Sequence, residues 1–299
     1  MAGAPGWDAD SLRYDRSRRT SWRIGFDRVV GYLLPLLFIA AIFPILSLVY
    51  YVSSKAVPTL SWTVITSQSP YGDHLGVAIL GTFELMALAT VLAVAMGLFG
   101  GVATAEFLSE RAANWIRMSA NLLVGTPSVI LGYFGYFTFC LYFGWGLSFL
   151  AGAVTMAFFM APYVFRTADL AFSSIPPPIR EAALGSGARP SQYIVRVGAP
   201  IAFPQILTGV FLALAIGVGE TAPIVLTTTP GVLLPQTLTS PVTVLPELIW
   251  VNFAQAPITG LQTVAFQAAF LLLVVVIALN IIVRVVSNRY RKRLEGLYH

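Results

Sequence analysis

The chain has 299 residues, of which 57% are hydrophobic and only 10% charged, and it carries a net charge of +5. Soluble domains hold about 25% charged residues, so this composition excludes a soluble enzyme and a nucleic-acid-binding module and identifies an all-α integral membrane protein. One cysteine, Cys140, excludes an intrachain disulfide, and two widely separated histidines, His74 and His299, offer no metal-ligand cluster.

Residues 1–28 interleave acidic and basic side chains without an apolar core, which predicts a solvated cytoplasmic arm. The alternative is an interfacial helix around Trp7, Tyr14 and Trp22 lying on anionic lipid. The first apolar run is too long for a signal peptide and lacks a small-residue cleavage site. Six apolar segments of helical length then predict a transmembrane domain over 29–286, with spans at 29–52, 77–105, 118–143, 146–170, 198–227 and 263–286. A basic tail, 287–299, follows.

Each span has its own signals. The first contains Pro35 and Pro44, tolerated within helix bundles. The second carries Glu84 near its outer end, where the carboxylate is expected to be wetted. In the third, Thr126 and Ser128 flank Pro127, a combination suited to tight packing and able to offer hydroxyls to a ligand. A tight turn around Gly144, Trp145 and Gly146 leads to the fourth. There Arg166 follows Pro162 and Tyr163; its forked donors suit an oxyanion, and an interfacial anchor is the other reading.

A polar loop, 171–197, comes next. Pro177 and Pro178 suit a first helical turn. Arg180, Glu181, Ala182, Ala183 and Leu184 propagate the helix, and Gly185 and Gly187 stop it. The small face of Ala182 and Ala183 can seat closely in a groove on another protein. In the fifth span Glu220 sits between Gly217, Gly219 and Pro223 and is followed by Thr221. A membrane-embedded carboxylate costs about 2.5–3.5 kcal/mol on insertion scales, so it marks either a pathway or a structural pair. Glu220 lies some 20 Å from the inner end of its helix at about 1.5 Å per residue, too far for a direct pair with Arg166. The segment 228–262 is long, apolar and contains five prolines; it reads as an outer-mouth helix, a docking platform, or a loop packed on its own bundle.

Basic residues cluster before the first span, between the second and third (Arg111, Arg117), between the fourth and fifth (Arg180, Arg189, Arg196), and after the sixth. The opposite side has Lys55 alone. The positive-inside rule therefore places both termini and the loop at Glu181 in the cytoplasm.

Several of these elements resemble one family, the PstA-type permeases of the phosphate-specific ABC importer. They are Glu181-Ala182-Ala183 with Gly187 six residues after the glutamate, Gly219-Glu220-Thr221-Ala222-Pro223, Pro162 to Thr167, Pro127 to Gly132, and Phe253 to Pro257. The resemblance implies a type I ABC importer permease fold of six transmembrane helices and a cytoplasmic coupling helix. It implies that Arg180, Glu181, Ala182, Ala183 and Gly187 contact an ATPase, and that Arg166, Glu220, Thr221 and Ser128 line a substrate pathway. The implied partners are a homologous PstC-like permease, a cytoplasmic PstB-like ATPase dimer and an external PstS-like phosphate-binding protein, within membrane lipid. The chain itself would be non-catalytic and hold no cofactor; ATP and Mg would bind the ATPase. One departure stands out: the family often has an arginine three or four residues before the Gly-Glu-Thr element, and none of Ala213 to Val218 is basic. A permease for sulfate or molybdate shares the coupling loop, and a secondary transporter would need coupling carboxylates in inverted halves.

Overall fold

The computed structural model describes residues 9–66, 75–254 and 261–295, and every regular element among them is helical. Contacts divide the chain into two units, residues 1–54 and 55–299.

Helix α1 (Ala9–Ala56) makes up the described part of the first unit and runs two residues past its end. It continues through Pro35 and Pro44 for 48 residues. From Ala9 onward the expected arm is thus one helix with the first span, Tyr14 and Trp22 included; Trp7 lies outside the described residues.

In the second unit a single 3₁₀ turn (Val57–Thr59) and the short α2 (Trp62–Thr66) precede the long α3 (Leu75–Glu106). Then come α4 (Glu110–Gly125), α5 (Ser128–Gly135) with a π-helical extension (Tyr136–Tyr142), and α6 (Phe149–Ser173). The loop holds α7 (Pro177–Gly185) and α8 (Pro190–Tyr193), followed by a π-helical turn (Ile194–Gly198) and α9 (Ala199–Val218). Helices α10 (Ala222–Thr227), α11 (Leu245–Ala254) and α12 (Gln262–Glu295) complete it. His74, Gln255 to Pro257 and His299 lie outside the described residues.

Two spans differ from the sequence expectation. The third is not straight: α4 and α5 meet at 101°. Thr126 and Pro127 both take extended ψ angles, 130° and 133°, because proline's ring disfavours a helical residue before it. Counted as one span, this bent pair brings the membrane-crossing segments among the described residues to six; five helical stretches qualify by themselves. The fifth span also breaks. Gly219 caps α9, and the chain restarts as α10 with Pro223 in its first turn, the one helical site where a missing N–H is harmless.

Close packing of small residues assembles the bundle, as it must where lipid removes the hydrophobic drive between helices. Helices α3 and α6 run parallel. A Cβ on Gly97 would stand 2.7 Å from Val164 Cβ and 2.8 Å from the Ala161 carbonyl oxygen; one on Gly101 would stand 2.7 Å from Ala168 Cβ and 2.8 Å from the Phe165 carbonyl oxygen. Ala89 and Ala93 extend the same stripe and are fully buried. Helix α9 runs antiparallel to α6, with Gly209 against Thr167 and Gly217 against Met160. The π turn before α9 has a local cause. Pro200 has no N–H for the Arg196 carbonyl, so the turn widens and Ala199 N–H bonds to Ile194 O instead.

Replacing Gly97 or Gly101 with valine is expected to destabilise the bundle by about 1–3 kcal/mol, the usual cost of overpacking. Gly125→Ala, at a position with open space, should be near neutral. Thermal unfolding of the detergent-solubilised protein distinguishes them; equal melting temperatures for all three would contradict the α3–α6 contact.

Candidate functional site

The loop after α6 is built to present one face and hold the other. Pro177 and Pro178 occupy the first turn of α7. At its other end Gly185 is the last helical residue, and the chain reverses at Gly187, with φ +89°. Gly187 N–H bonds to Leu184 O at 3.0 Å and Ala188 N–H to Ala183 O at 3.3 Å. These are the bonds of a Schellman cap, whose left-handed residue favours glycine. Glu181, Ala182 and Gly187 are exposed and Ala183 is half-buried.

Arg180 turns back into the chain. Its Nη2 lies 3.0 Å from Glu106 Oε2 and donates to the Glu106 carbonyl oxygen at 3.2 Å. Its guanidinium stands 5.9 Å from the centre of the Tyr193 ring. Tyr193 is 2% exposed and hydrogen-bonds the Glu106 carboxylate. The last residue of α3, the middle of α7 and the end of α8 are therefore joined at one point. A second tie lies nearby: Arg117 Nε and Nη2 donate to the two oxygens of Asp169 at 2.7 and 2.8 Å, pinning α4 to α6 in the bidentate geometry that strengthens such pairs. Sequence reasoning missed Glu106, Tyr193 and Asp169. An acid at a span's inner edge looks like an interface residue, and nothing in the spacing links 106 to 180 or 117 to 169.

The expected pathway residues are only partly brought together. Gly132 on α5 packs against Pro223 Cα and the Ala222 carbonyl of α10. Farther along, Cys140 Sγ points to the Thr227 carbonyl, so α5 and α10 run side by side in the same direction. The Gly132 contact ties the start of α10 to a point one turn into α5. Ser128, Glu220 and Thr221 are each half-buried, whereas Pro127 is exposed and Gly125 has open space around it. Arg166 is elsewhere. Its neighbour Thr167 faces Gly209, eleven residues before Glu220, or about 16 Å along the helix. Arg166 is exposed, and among the described residues no ion pair joins it or Glu220 to another side chain. Glu84 is exposed on α3.

The described part of the 228–262 segment, residues 228–254, folds onto its own bundle. Val242, Val244 and Leu245 are fully buried, and Leu245 N–H donates to Thr82 Oγ1 of α3 at 2.9 Å. Phe253 meets Phe266 edge-on at 5.2 Å. Glu247, not singled out from the sequence, is 2% exposed. One carboxyl oxygen shares a hydrogen bond with the Thr228 hydroxyl and the other, Oε2, has no partner. Burial pushes this carboxyl up to about 8, and the Thr228 hydrogen bond offsets only part of that rise. Thr228 also donates to the Ile224 carbonyl.

Residues 97–292 match the family described as the binding-protein-dependent transport system inner membrane component. A relative from Mycobacterium bovis, named phosphate transport system permease protein PstA 2, is 32% identical over 253 residues, 84% of each chain. One from Haemophilus influenzae, named phosphate transport system permease protein PstA, is 29% identical and covers 91% of this chain and 98% of its own. Among solved structures, a bacterial alginate ABC transporter bound to its periplasmic protein superposes with TM-score 0.66 at 16% identity, over 90% of this chain and 96% of that one. The inward-facing MetNI methionine ABC transporter does so with TM-score 0.56 at 20% identity, covering 70% and 94%. These structures share the fold.

Because the folded protein holds the Glu247 proton more tightly than the unfolded chain does, the native state binds more protons between about pH 4.5 and 8. Stability should fall as pH rises through that window. Melting temperatures from pH 5 to 8.5 are expected to decline more steeply for the wild type than for Glu247→Gln; parallel profiles would remove this carboxyl from the balance.

Proposed function

This chain is a member of the family of binding-protein-dependent transport system inner membrane components, and we propose that it serves as a permease subunit of an ATP-driven inorganic phosphate importer. The observation that carries the substrate is the 84% mutual coverage with a relative named as a phosphate permease. The exposed face of α7 carries the coupling, because Glu181, Ala182 and Gly187 stand free of the bundle on a capped, rigid turn.

In this reading the chain is a multi-pass protein of the bacterial inner membrane with both termini and α7 in the cytoplasm, a placement its arginine distribution supports. A cytoplasmic ATPase dimer binds ATP and Mg and docks on α7. A second, homologous permease completes the pathway, and a phosphate-binding protein docks outside. The chain performs no bond chemistry; its task is to exchange two arrangements of the bundle. Glu220, at the break between α9 and α10, is the pathway carboxylate, with Thr221 next to it and Ser128 at the start of α5 as hydroxyl donors. HPO₄²⁻ carries a proton that a carboxylate can accept, whereas SO₄²⁻ does not. Any cation facing Glu220 comes from the second permease, since none of Ala213 to Val218 is basic. Arg166, one face of α6 nearer the cytoplasm, meets the anion at a later point on its way in.

Cells lacking this chain should regain radiolabelled phosphate uptake when it is restored, with excess sulfate or molybdate failing to compete. Competition by either oxyanion would reassign the substrate. Glu181→Ala should lower uptake about tenfold or more, the scale of one lost 1.4 kcal/mol interaction, without changing the amount of protein in the membrane. Arg166→Ala should lower uptake more than Arg166→Lys; indistinguishable rates would leave Arg166 an interfacial anchor.

A further inference from the structure

Helix α3 is clasped at both ends by segments that belong to opposite sides of the bundle. At the inner end, Glu106 holds Arg180 by its carboxylate and its carbonyl and takes a hydrogen bond from buried Tyr193. At the outer end, Thr82 Oγ1 accepts Leu245 N–H at the start of α11. One turn of contact is added by Gly81, whose missing side chain lets the Thr243 carbonyl rest on the α3 backbone. From Thr82 to Glu106 the helix has no proline and no break, a rod of about 36 Å at 1.5 Å per residue. The other two spans that meet the loop are less suited to carry a push along their axes. Helix α6 contains Pro162, and α9 stops at Val218. Along its length α3 packs closely on α6 through Ala89, Ala93, Gly97 and Gly101.

We infer that α3 is the strut that carries motion between the α7 coupling helix and the outer α11 segment, and that Glu106 and Thr82 are positioning residues at its two ends. This inference rests on the coupling reading of α7, though not on the identity of the transported anion. Arg180, adjacent in sequence to the exposed Glu181, is the fastener: a displacement of Glu181 by a docked protein moves Arg180, and with it the Glu106 carboxylate and the α3 terminus. At the far end the shift reaches the backbone entering α11 through the short Thr82 hydroxyl and through the Thr243 carbonyl that rests on Gly81.

The test uses the assembled complex of this permease with its partner permease and ATPase. Spin labels go on Leu147→Cys and Trp250→Cys, both exposed, in a Cys140→Ala background. The inter-label distance is read with and without ATP. We expect a nucleotide-driven shift in this background, its loss in Glu106→Ala and in Thr82→Val, and recovery in Glu106→Asp, which keeps the charge. Two sites this far apart ordinarily act additively. Ends of one strut act in series, so the Glu106→Ala, Thr82→Val double variant should lose no more than either single one. An unchanged shift in the single variants, additive partial losses, or no shift without the substitutions would each overturn the strut. Phosphate uptake by the same complex is scored separately: its absence alongside a normal distance response removes the substrate assignment and leaves the strut standing.

Discussion

The constraint on which the bundle depends is the close parallel contact of α3 with α6. Inside a membrane, helices gain little by hiding apolar surface from lipid, so they must gain by fitting. Gly97 and Gly101 bring the α3 backbone against Ala161 and Phe165 of α6, where even one methyl group would collide. That contact sets the level of α6. The level of α6 then sets α9, through Gly209 on Thr167 and Gly217 on Met160. Glu220, the breaks and the loop face all inherit their positions from these glycines.

The packing also explains why the irregular backbone sits where it does. Proline ends the helical ladder at 127 and forces a restart at 223, and each break leaves polar groups that lipid cannot satisfy. The protein packs α5 beside α10, with Gly132 admitting Pro223 and Ala222, so the restart at α10 is sheltered by protein. The loop is treated differently: Glu106, Arg180 and Tyr193 lock its inner face, while the Schellman turn at Gly187 holds its outer face rigid.

Charge is distributed on the same plan. The bidentate Arg117–Asp169 pair and the Arg180–Glu106 pair both lie where spans end on the arginine-rich side, where water screens and supports them. Glu247 is the opposite case, a carboxyl enclosed by the outer segment with one oxygen unpartnered. It is tolerable because burial keeps it protonated over much of the physiological range.

Much of this was legible in the residues alone. Apolar runs of helical length gave the spans, and Pro177-Pro178 with Gly187 gave a short capped helix in the loop after α6. Those properties are local, decided by neighbours within a turn or by composition. The sequence could also mark Pro127 and Pro223 as weak points, though not say that the third span would turn by 101° or that α5 would pack on the start of α10. Nor could it join Arg180 to Glu106, Arg117 to Asp169 or Leu245 to Thr82, partners 74, 52 and 163 residues apart. Such pairs exist only after helices choose which faces to press together, and that choice is made by steric fit between distant glycines and side chains, which no local periodicity encodes.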